Sequence, residues 1–536
     1  MTVYRLEARI SPLQPCRPKC IQWMARAATV SFVLWTAAMS AGCAKSGVAN
    51  APDQFESGAA IEVFNAGFAY IQDIYIDTAD IGELVLIGLN GLRRIEPALA
   101  AVKSDASDEV ALLIDGRAAA QTKLASGAAE WASAAVHLIE SGRTASVALN
   151  AATAESIYAS IFDTMADQLD SYTRYSTAEA AREERAKRDG FGGIGASIEA
   201  HTDGALISKI KPGQPAFIAG LMKGDRILAI DDFAISGMPL RRIVNLLRGP
   251  VRTELLLTIR RDAREEPLKV PVTRTHIVEQ TVFMEVDRDF AYIRLTSFNQ
   301  DTLREMREAT DQAEVTLGAR LRGLIIDVRG NPGGLLDQAV KVADLFLATG
   351  AILRTRGRHP RSYQYFDADS HTIMPKLPIA VLLDGASASA AEIVASALQD
   401  QGRAIVVGAS SFGKGTVQQV LRLPNDGELI LTWARMHAPS GYVLNRYGVL
   451  PTICTSRMRD SATAIAALIA GAGDSIRRNL KTRRRADMDD ADHLKQMCPW
   501  QPHEGEDLDL EVAEGVLGKR ELYEKVLAFA KPRTGS

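Results

Sequence analysis

Between residues 291 and 407 the sequence alternates short strand-like runs with longer segments of helical periodicity, and this alternation restricts the fold more than any other feature. In chain order these runs and segments cover 291–295, 302–313, 323–328, 336–347, 379–383, 391–399 and 404–407. A chain of this kind forms a largely parallel sheet whose strands are joined by crossover helices. Binding and catalytic residues in such sheets gather at the carboxyl ends of the strands. The sequence therefore predicts an α/β core with its chemistry in the loops that follow the strands.

The segments before and after this core differ from it, and from one another, in composition and periodicity. The whole chain has 536 residues. Residues 44–180 are alanine-rich with helical periodicity, and 102–153 within them indicate an inserted helical hairpin. Residues 181–278 contain short strands punctuated by glycine, and the chain beyond 456 is charged and helical. Because a domain usually contains about 100–200 residues, we predict an α/β multidomain protein. Its predicted segments are 1–43, 44–180, 181–278, 279–455 and 456–536.

The charge balance and the cysteine and histidine spacing exclude several classes of protein. The chain has 62 basic and 65 acidic residues, a net charge of −3, so it has no overall positive field to attract nucleic acid. The 8 histidines and 5 cysteines form neither a Cys-x-x-Cys pair nor a His-Glu-x-x-His motif. We therefore predict no nucleic-acid partner, no metal site and no cofactor.

An uncharged apolar run covers residues 27–42 and follows several basic residues. It is shorter than the about 20 residues that a bilayer span needs, but it suits the core of a secretory signal peptide. The run ends in Ser-Ala-Gly-Cys at 40–43, which resembles the lipobox of bacterial lipoproteins and implies lipidation of Cys43. Ser40 stands where that motif usually has leucine, so ordinary signal cleavage is the alternative, and Met24 is an alternative start. We predict a protein on the periplasmic side of the bacterial envelope, anchored to a membrane by lipid.

Export also changes the interpretation of the cysteines. Cys16 and Cys20 precede the apolar run and would be removed with it, which leaves Cys454 and Cys498 as the other thiols of the mature chain. An oxidising compartment permits these two to pair, while two separate buried thiols fit the sequence equally well.

The sequence of the glycine-rich segment 190–195 is compatible with two kinds of binding site. It matches G-x-G-x-x-G, but a dinucleotide site needs a strand before this motif and a helix after it, and neither is present. Residues 211–231 that follow are similar to the heart of a PDZ domain. That resemblance implies that the glycine loop binds the C-terminal carboxylate of a peptide, which pairs with the next strand edge. A purely structural turn is the alternative for each of the predicted peptide-binding residues, Gly192, Gly193, Ile194 and Gly195.

Three loops after predicted strands, at 327–334, 384–392 and 411–418, contain unusual residues. A serine at the start of a helix is most often an N-cap, but a nucleophile also suits that position because the helix N-terminus favours negative charge. The third loop also matches the phosphate-binding motif G-x-x-x-x-G-K. Gly415 replaces the required Ser or Thr, and a hairpin is predicted where a helix should follow, which argues against nucleotide binding.

Together these loops resemble those of the carboxyl-terminal processing peptidases, tail-specific serine peptidases with a Ser–Lys dyad. The similarity extends from residue 169 through the PDZ segment to about 451, although Ala391 stands where many relatives have a third serine. The resemblance implies a PDZ domain followed by an α/β peptidase core, flanked by helical regions. It further implies a nucleophile, a general base, a residue that orients the base and a supporting acid, which correspond to Ser389, Lys414, Gln418 and Asp400.

Elementary chemistry agrees with this assignment. Lysine accepts a proton only when neutral, so the pKa of Lys414 must fall from about 10.4 towards 7–8 through burial. If the chain after Lys414 is extended, Gln418 lies on the same face as the ammonium group. The predicted oxyanion donors are the N–H of Ala390 and that of Gly333 or Gly334.

We therefore predict a serine endopeptidase that binds the free C-terminal tails of proteins or peptides and cleaves them through an acyl-enzyme. The alternative is a catalytically inactive PDZ scaffold of the envelope that binds the same tails.

Overall fold

The computed structural model describes residues 54–104, 108–262, 264–456, 458–470, 491–501 and 507–530. The predicted signal segment, including Cys43, lies outside the described residues. No helix within these ranges is long and apolar enough to cross a membrane.

The N-terminal region combines helices with a small antiparallel sheet. Its elements are α1 (Ser57–Ile74), α2 (Ile81–Gly91), β1 (Leu99–Lys103), β2 (Glu109–Ile114), β3 (Arg117–Lys123), α3 (Ala128–Ala145), α4 (Val147–Ala151), α5 (Ala154–Ala166), β4 (Arg174–Ser176) and α6 (Ala178–Asp189).

The predicted helical hairpin at 102–153 is wrong for its first half. Strands β1, β2 and β3 form a three-stranded sheet there, and only α3 and α4 are helical. The β2–β3 turn is Asp115-Gly116, with φ of 51° and 73°. Asp-Gly favours a two-residue hairpin turn because both residues tolerate positive φ. Alanine content obscured this local signal.

An aromatic cluster holds the N-terminal region together. The rings of Phe64 and Phe162 lie 5.6 Å apart, and those of Phe162 and Tyr175 lie 5.3 Å apart. The same apolar core includes Leu429 and Leu431 from a hairpin of the α/β core. The N-terminal region is therefore packed directly onto the region that contains the predicted lysine.

The glycine-punctuated domain forms its own sheet. Its elements are β5 (Phe191–Gly193), β6 (Ala196–His201), β7 (Gly204–Ile210), α7 (Pro215–Ile218), β8 (Arg226–Ile230), β9 (Phe233–Ala234), α8 (Leu240–Leu247), β10 (Glu254–Arg260), β11 (Leu268–Thr273) and β12 (Thr275–Ile277). The strand order β11-β10-β8-β7-β6 leaves β6 at an edge, directly after the glycine segment. Ile194 of that segment and Ile243 of α8 belong to one apolar core.

The α/β core contains two sheets. Its elements are β13 (Val282–Asp287), β14 (Phe290–Leu295), α9 (Thr302–Leu317), β15 (Gly323–Asp327), α10 (Leu336–Asp344), β16 (Ala351–Arg356), β17 (Gln364–Asp367), β18 (Ile379–Leu383), α11 (Ala390–Asp400), β19 (Ile405–Gly408), β20 (Thr416–Arg422), β21 (Glu428–His437) and β22 (Ile453–Cys454). The first sheet has the order β13-β14-β15-β18-β19-β22 and is parallel from β14 onward, as the alternating pattern predicts. The second sheet is antiparallel, with the order β17-β16-β21-β20.

Helices from the C-terminal region cover one face of the parallel sheet. They are α12 (Ser461–Ala470), α13 (Ala491–Met497), α14 (Leu508–Leu517) and α15 (Arg520–Ala530). Val512 and Val516 of α14 pack against sheet residues such as Leu382. A disulfide joins Cys454 to Cys498, with their Cα atoms 5.8 Å apart. The interpretation of these cysteines as separate thiols is therefore wrong, because the fold brings together residues that are distant in sequence.

Candidate active site

The serine-containing loop follows β18 and leads into α11. Ser387 in this loop is fully buried, and its hydroxyl donates to the carbonyl of Val328 at 2.9 Å. Asp384 accepts hydrogen bonds from the backbone N–H of Ser387 at 2.9 Å and of Ala386 at 3.1 Å. Ser387 is therefore a turn residue that fixes the shape of the loop.

Ser389 lies at the N-cap of α11 in a strained conformation. Its φ of 56° and ψ of −113° are unusual for a residue with a side chain. Such a conformation costs about 1–3 kcal/mol and persists only where neighbouring contacts impose it. The N-terminus of α11 also provides positive potential beside the hydroxyl. Both features suit a nucleophile that attacks a carbonyl.

The buried carboxylate of Glu392 holds this turn against the lysine-containing loop. One of its oxygens accepts the N–H of Ser389 at 2.7 Å and the N–H of Lys414 at 3.0 Å. The other accepts the N–H of Gly413 at 2.8 Å and the hydroxyl of Ser411. Burial raises the pKa of Glu392, and these four donors act in the opposite direction. The backbone nitrogens of the predicted nucleophile and base thus meet at a single oxygen atom.

Glu392 is a functional candidate that the sequence analysis missed. The signal was present, because Ser-x-x-Glu at the start of a helix is the pattern of a capping box. In this structure the Glu392 side chain reaches back to the N–H of Ser389, as that pattern predicts, and also binds the next loop.

The environment of Lys414 favours its neutral form. The ammonium nitrogen lies 5.2 Å from the centre of the Tyr172 ring. Burial lowers the pKa of Lys414 and repulsion from Arg174 lowers it further, while the charge of Glu392 opposes them. The pKa shift therefore has the direction that a general base requires. Within the described residues, Lys414 makes no hydrogen bond to the hydroxyl of Ser389.

Tyr172 is positioned by a tight turn around Asp170. The Asp170 carboxylate accepts the N–H of Tyr172 at 2.8 Å and the hydroxyl of Thr432 at 2.9 Å. Gln418 joins the same network, because its amide nitrogen donates to the hydroxyls of Thr416 at 2.8 Å and of Thr432 at 3.3 Å.

The predicted contact of Gln418 with Lys414 is therefore absent among the described residues. A register shift between Val417 and Gln418 interrupts the regular extended geometry on which that expectation depended. Gln418 supports the strand that follows Lys414 and does not orient the ammonium directly.

Asp400 does not reach the site either, which corrects its assignment as a supporting acid. It ends the 11-residue helix α11, about 16 Å along the axis from Ser389. Its buried carboxylate accepts the N–H and the hydroxyl of Ser440, the latter at 2.6 Å. Asp400 stabilises the turn at Ser440.

Of the three predicted oxyanion donors, Gly333 is excluded. Its N–H donates to the side chain of Asn331 at 2.8 Å. Its φ is +104°, and a Cβ there would lie 2.8 Å from the Cβ of Ser389, so glycine is required for this close approach. The N–H groups of Gly334 and Ala390 have no acceptor among the described residues. Ala390 is fully buried beneath Gly333, so a substrate carbonyl reaches its N–H only after a local shift.

The glycine segment beside the edge strand has mixed roles. Gly192 and Gly193 lie in β5, which pairs with β12, and a Cβ on Gly192 would collide with the carbonyl oxygen of Gly249. The buried Ile194 accepts the N–H of Ala216 at 2.8 Å. Gly195 has a φ of 74° and immediately precedes β6. These residues therefore shape the turn that leads into the open strand edge.

Comparison with known proteins agrees with this architecture. The model of Peptidase family S41 matches residues 289–455, and that of the PDZ domain matches residues 184–260. The carboxy-terminal-processing protease of Bartonella bacilliformis is 40% identical over 53% of this chain and 66% of its own length. The carboxy-terminal processing protease CtpA of Bacillus subtilis is 32% identical over 53% of this chain and 60% of its own length. The carboxyl-terminal-processing protease of a Picosynechococcus species is 31% identical over 56% of this chain and 73% of its own length.

The parallel sheet with its serine elbow and the adjoining PDZ domain define the class as a serine-type peptidase fold that carries a peptide-binding module. Within that class, the chain belongs to peptidase family S41, the family of the carboxyl-terminal processing proteases. The resemblance that the motifs indicated is thereby confirmed. The alignments cover no more than about two thirds of the length of the first two relatives.

Replacing Glu392 tests whether its carboxylate aligns the two loops. We expect Glu392→Gln to lower kcat/KM for peptide cleavage by about 10², because an amide cannot accept all four hydrogen bonds and a small misplacement of catalytic groups is costly. Asp400→Asn is the matched control, since it changes a buried carboxylate at the other end of the same helix. Its kcat/KM should stay within about twofold of the wild type. Equal losses in both variants would contradict the assigned roles.

Proposed function

We propose that the chain is a serine endopeptidase in which Ser389 is the nucleophile and Lys414 the general base. The observation that carries this proposal is the single buried carboxylate oxygen of Glu392 that binds the backbone N–H groups of both residues. The lowered pKa of Lys414 supports it, because a serine hydroxyl is a weak nucleophile without an adjacent base.

The reaction follows from the roles of these groups. The Ser389 oxygen attacks the scissile carbonyl while its proton passes to the neutral amine of Lys414. The N–H groups of Ala390 and Gly334 bind the oxyanion. Lys414 then gives the proton to the leaving amine, and a water molecule activated by the same lysine hydrolyses the acyl-enzyme. The flexible side chain of Lys414 must first swing from the Tyr172 ring to the serine hydroxyl, because no hydrogen bond joins the two among the described residues.

The PDZ domain captures the C-terminal tail of the substrate. Among the described strands, β6 has a neighbour on one side only, so its other edge is available to an extended peptide, and the turn at Gly193–Gly195 precedes that strand. Addition of a strand to a sheet edge, with a carboxylate bound by backbone N–H groups, is a common mode of peptide recognition.

Location in the bacterial envelope is part of this proposal. The apolar run and the lipobox-like sequence before Cys43 support export and lipid anchoring on the periplasmic side of a membrane. The Cys454–Cys498 disulfide is compatible with an oxidising compartment.

Cleavage of a tagged model protein tests the function. We expect the wild type to cut a substrate with a free C-terminus at least about tenfold faster than the amidated form, because an amide lacks the charge that the glycine turn binds. Ser389→Ala should not cut either substrate. Equal rates for the two tails would contradict tail capture, whereas retention of the tail without cleavage would establish the inactive scaffold instead.

The pH dependence of serine labelling tests the role of Lys414. Only the neutral amine accepts a proton, so the rate at which a fluorophosphonate labels Ser389 should rise with pH, with a midpoint below the 10.5 of an ordinary lysine. Arg174→Gln removes a repulsive charge, so the pKa of Lys414 should increase and the rise should move to higher pH. Arg422→Gln, an exposed arginine at the far end of β20, is the control and should leave the midpoint unchanged. Labelling of Lys414→Ala at the wild-type rate would contradict the dyad.

Radiolabelled palmitate tests the lipid anchor in a bacterial host. We expect the wild type to incorporate label and Cys43→Ala to incorporate none, because the thiol is the site of attachment. Cys20→Ala, which changes a cysteine before the apolar run, should retain the label. A mature N-terminus elsewhere than Cys43 would show ordinary signal cleavage instead.

A further inference from the structure

Residues 491–501, here called the C-terminal strap, contact both loops of the candidate active site. Trp500 packs on Gly385, four residues before Ser389, so closely that a Cβ on Gly385 would lie 2.7 Å from the Cβ of the tryptophan. Lys495 donates a hydrogen bond to the carbonyl of Phe412 at 2.8 Å. The strap lies outside the residues that the family models match, 184–260 and 289–455.

The strap is also held in place by contacts other than those of Trp500 and Lys495. Cys498 is bonded to Cys454 at the end of β22, and its carbonyl accepts the N–H of Ser410 at 2.9 Å. Leu494 is buried against Tyr447. Trp500 nevertheless remains 55% exposed. The disulfide-linked strap thus holds a large aromatic side chain at the surface.

A cavity of about 250 Å³ lies between the strap and the two loops. Its lining includes Phe412 and Trp500 together with Pro499 and Lys495. A cavity of about 150 Å³ is enough to bind a benzene ring, so this one has room for a large apolar side chain. Phe412 is 47% exposed and the Lys495 ammonium lies 5.8 Å from the centre of its ring, so part of its aromatic surface stays open to a ligand.

The residues that line the cavity are close in sequence to Ser389 and Lys414, the two residues proposed to react. Phe412 is two residues from Lys414, and its N–H donates to the carbonyl of Ser387 at 3.0 Å, two residues from Ser389. An extended peptide advances about 3.3 Å per residue. Gly385 in the cavity wall is four residues from Ser389, so their Cα atoms lie at most about 14 Å apart. A substrate residue within about four positions of the cleaved bond spans that distance.

We propose that the C-terminal strap forms a substrate subsite, between Phe412 and Trp500, that receives a large apolar side chain of the peptide being cleaved. The ammonium of Lys495 beside the cavity disfavours lysine or arginine at the same substrate position. This inference rests on the proposed peptidase function and adds a determinant of substrate selectivity from outside the residues that the family models match.

A peptide library that varies one residue at a time around the cleaved bond tests the subsite. We expect the wild type to prefer Phe, Leu or Met at one position. Trp500→Ala should lower kcat/KM for those peptides about tenfold and leave kcat/KM for the alanine peptide within about twofold. Trp500→Phe should restore the preference. Tyr365→Ala is the matched control, because it removes another exposed aromatic ring of the core and should keep the wild-type profile.

A second variant makes the test independent of the tryptophan. Lys495→Glu should increase cleavage of peptides with lysine or arginine at the same position that Trp500→Ala affects, and at no other. Wild-type profiles in both variants, with cleavage otherwise normal, would overturn the subsite alone. Absence of cleavage by the wild type for every peptide would overturn the proposed function and the subsite with it.

Discussion

The site depends on one buried carboxylate. Removing Glu392 from water is costly unless its oxygens are fully hydrogen-bonded, and four donors from two loops meet that requirement. The same bonds join the N-terminus of α11 to the loop that contains Lys414. Neither loop can shift alone without leaving buried polar groups unpaired, which costs about 1–3 kcal/mol for each group. The strained backbone of Ser389 is maintained by this constraint.

Around that carboxylate, opposing influences act on the lysine. Burial and the nearby Arg174 favour the neutral amine, whereas Glu392 and the face of the Tyr172 ring favour the ammonium. The amine lies over Tyr172 and makes no hydrogen bond to Ser389 among the described residues, although the backbone N–H groups of Lys414 and Ser389 share one Glu392 oxygen. Together with the covered N–H of Ala390, this describes a site that is assembled but needs a small rearrangement before it can bind a carbonyl oxygen.

The sequence predicted the parallel sheet and the serine and lysine loops because periodicity and motif spacing are local properties. The errors arose where a side chain found a partner that local spacing does not reveal. Gln418 donates a hydrogen bond to Thr432 on the paired strand, and the N–H of Gly333 donates to the side chain of Asn331. Asp400 bonds to Ser440 at the other end of α11 from Ser389. The sheet at 99–123 was missed for another reason, since alanine outweighed the Asp-Gly turn that marks its hairpin.

The environment of the site comes from three regions of the chain. The N-terminal region supplies Tyr172, whose position depends on Asp170 and on the packing of that region against β21. The core supplies Ser389, Glu392 and Lys414, and the C-terminal strap adds Trp500 beside the serine loop. Residues 289–455 alone would therefore retain Ser389 and Lys414 but lose the ring that the ammonium contacts. Solvent would then reach the amine and the repulsion from Arg174 would be lost, so the pKa of Lys414 would return towards that of an exposed lysine, and residues 289–455 would lack the neutral amine on which the proposed mechanism depends.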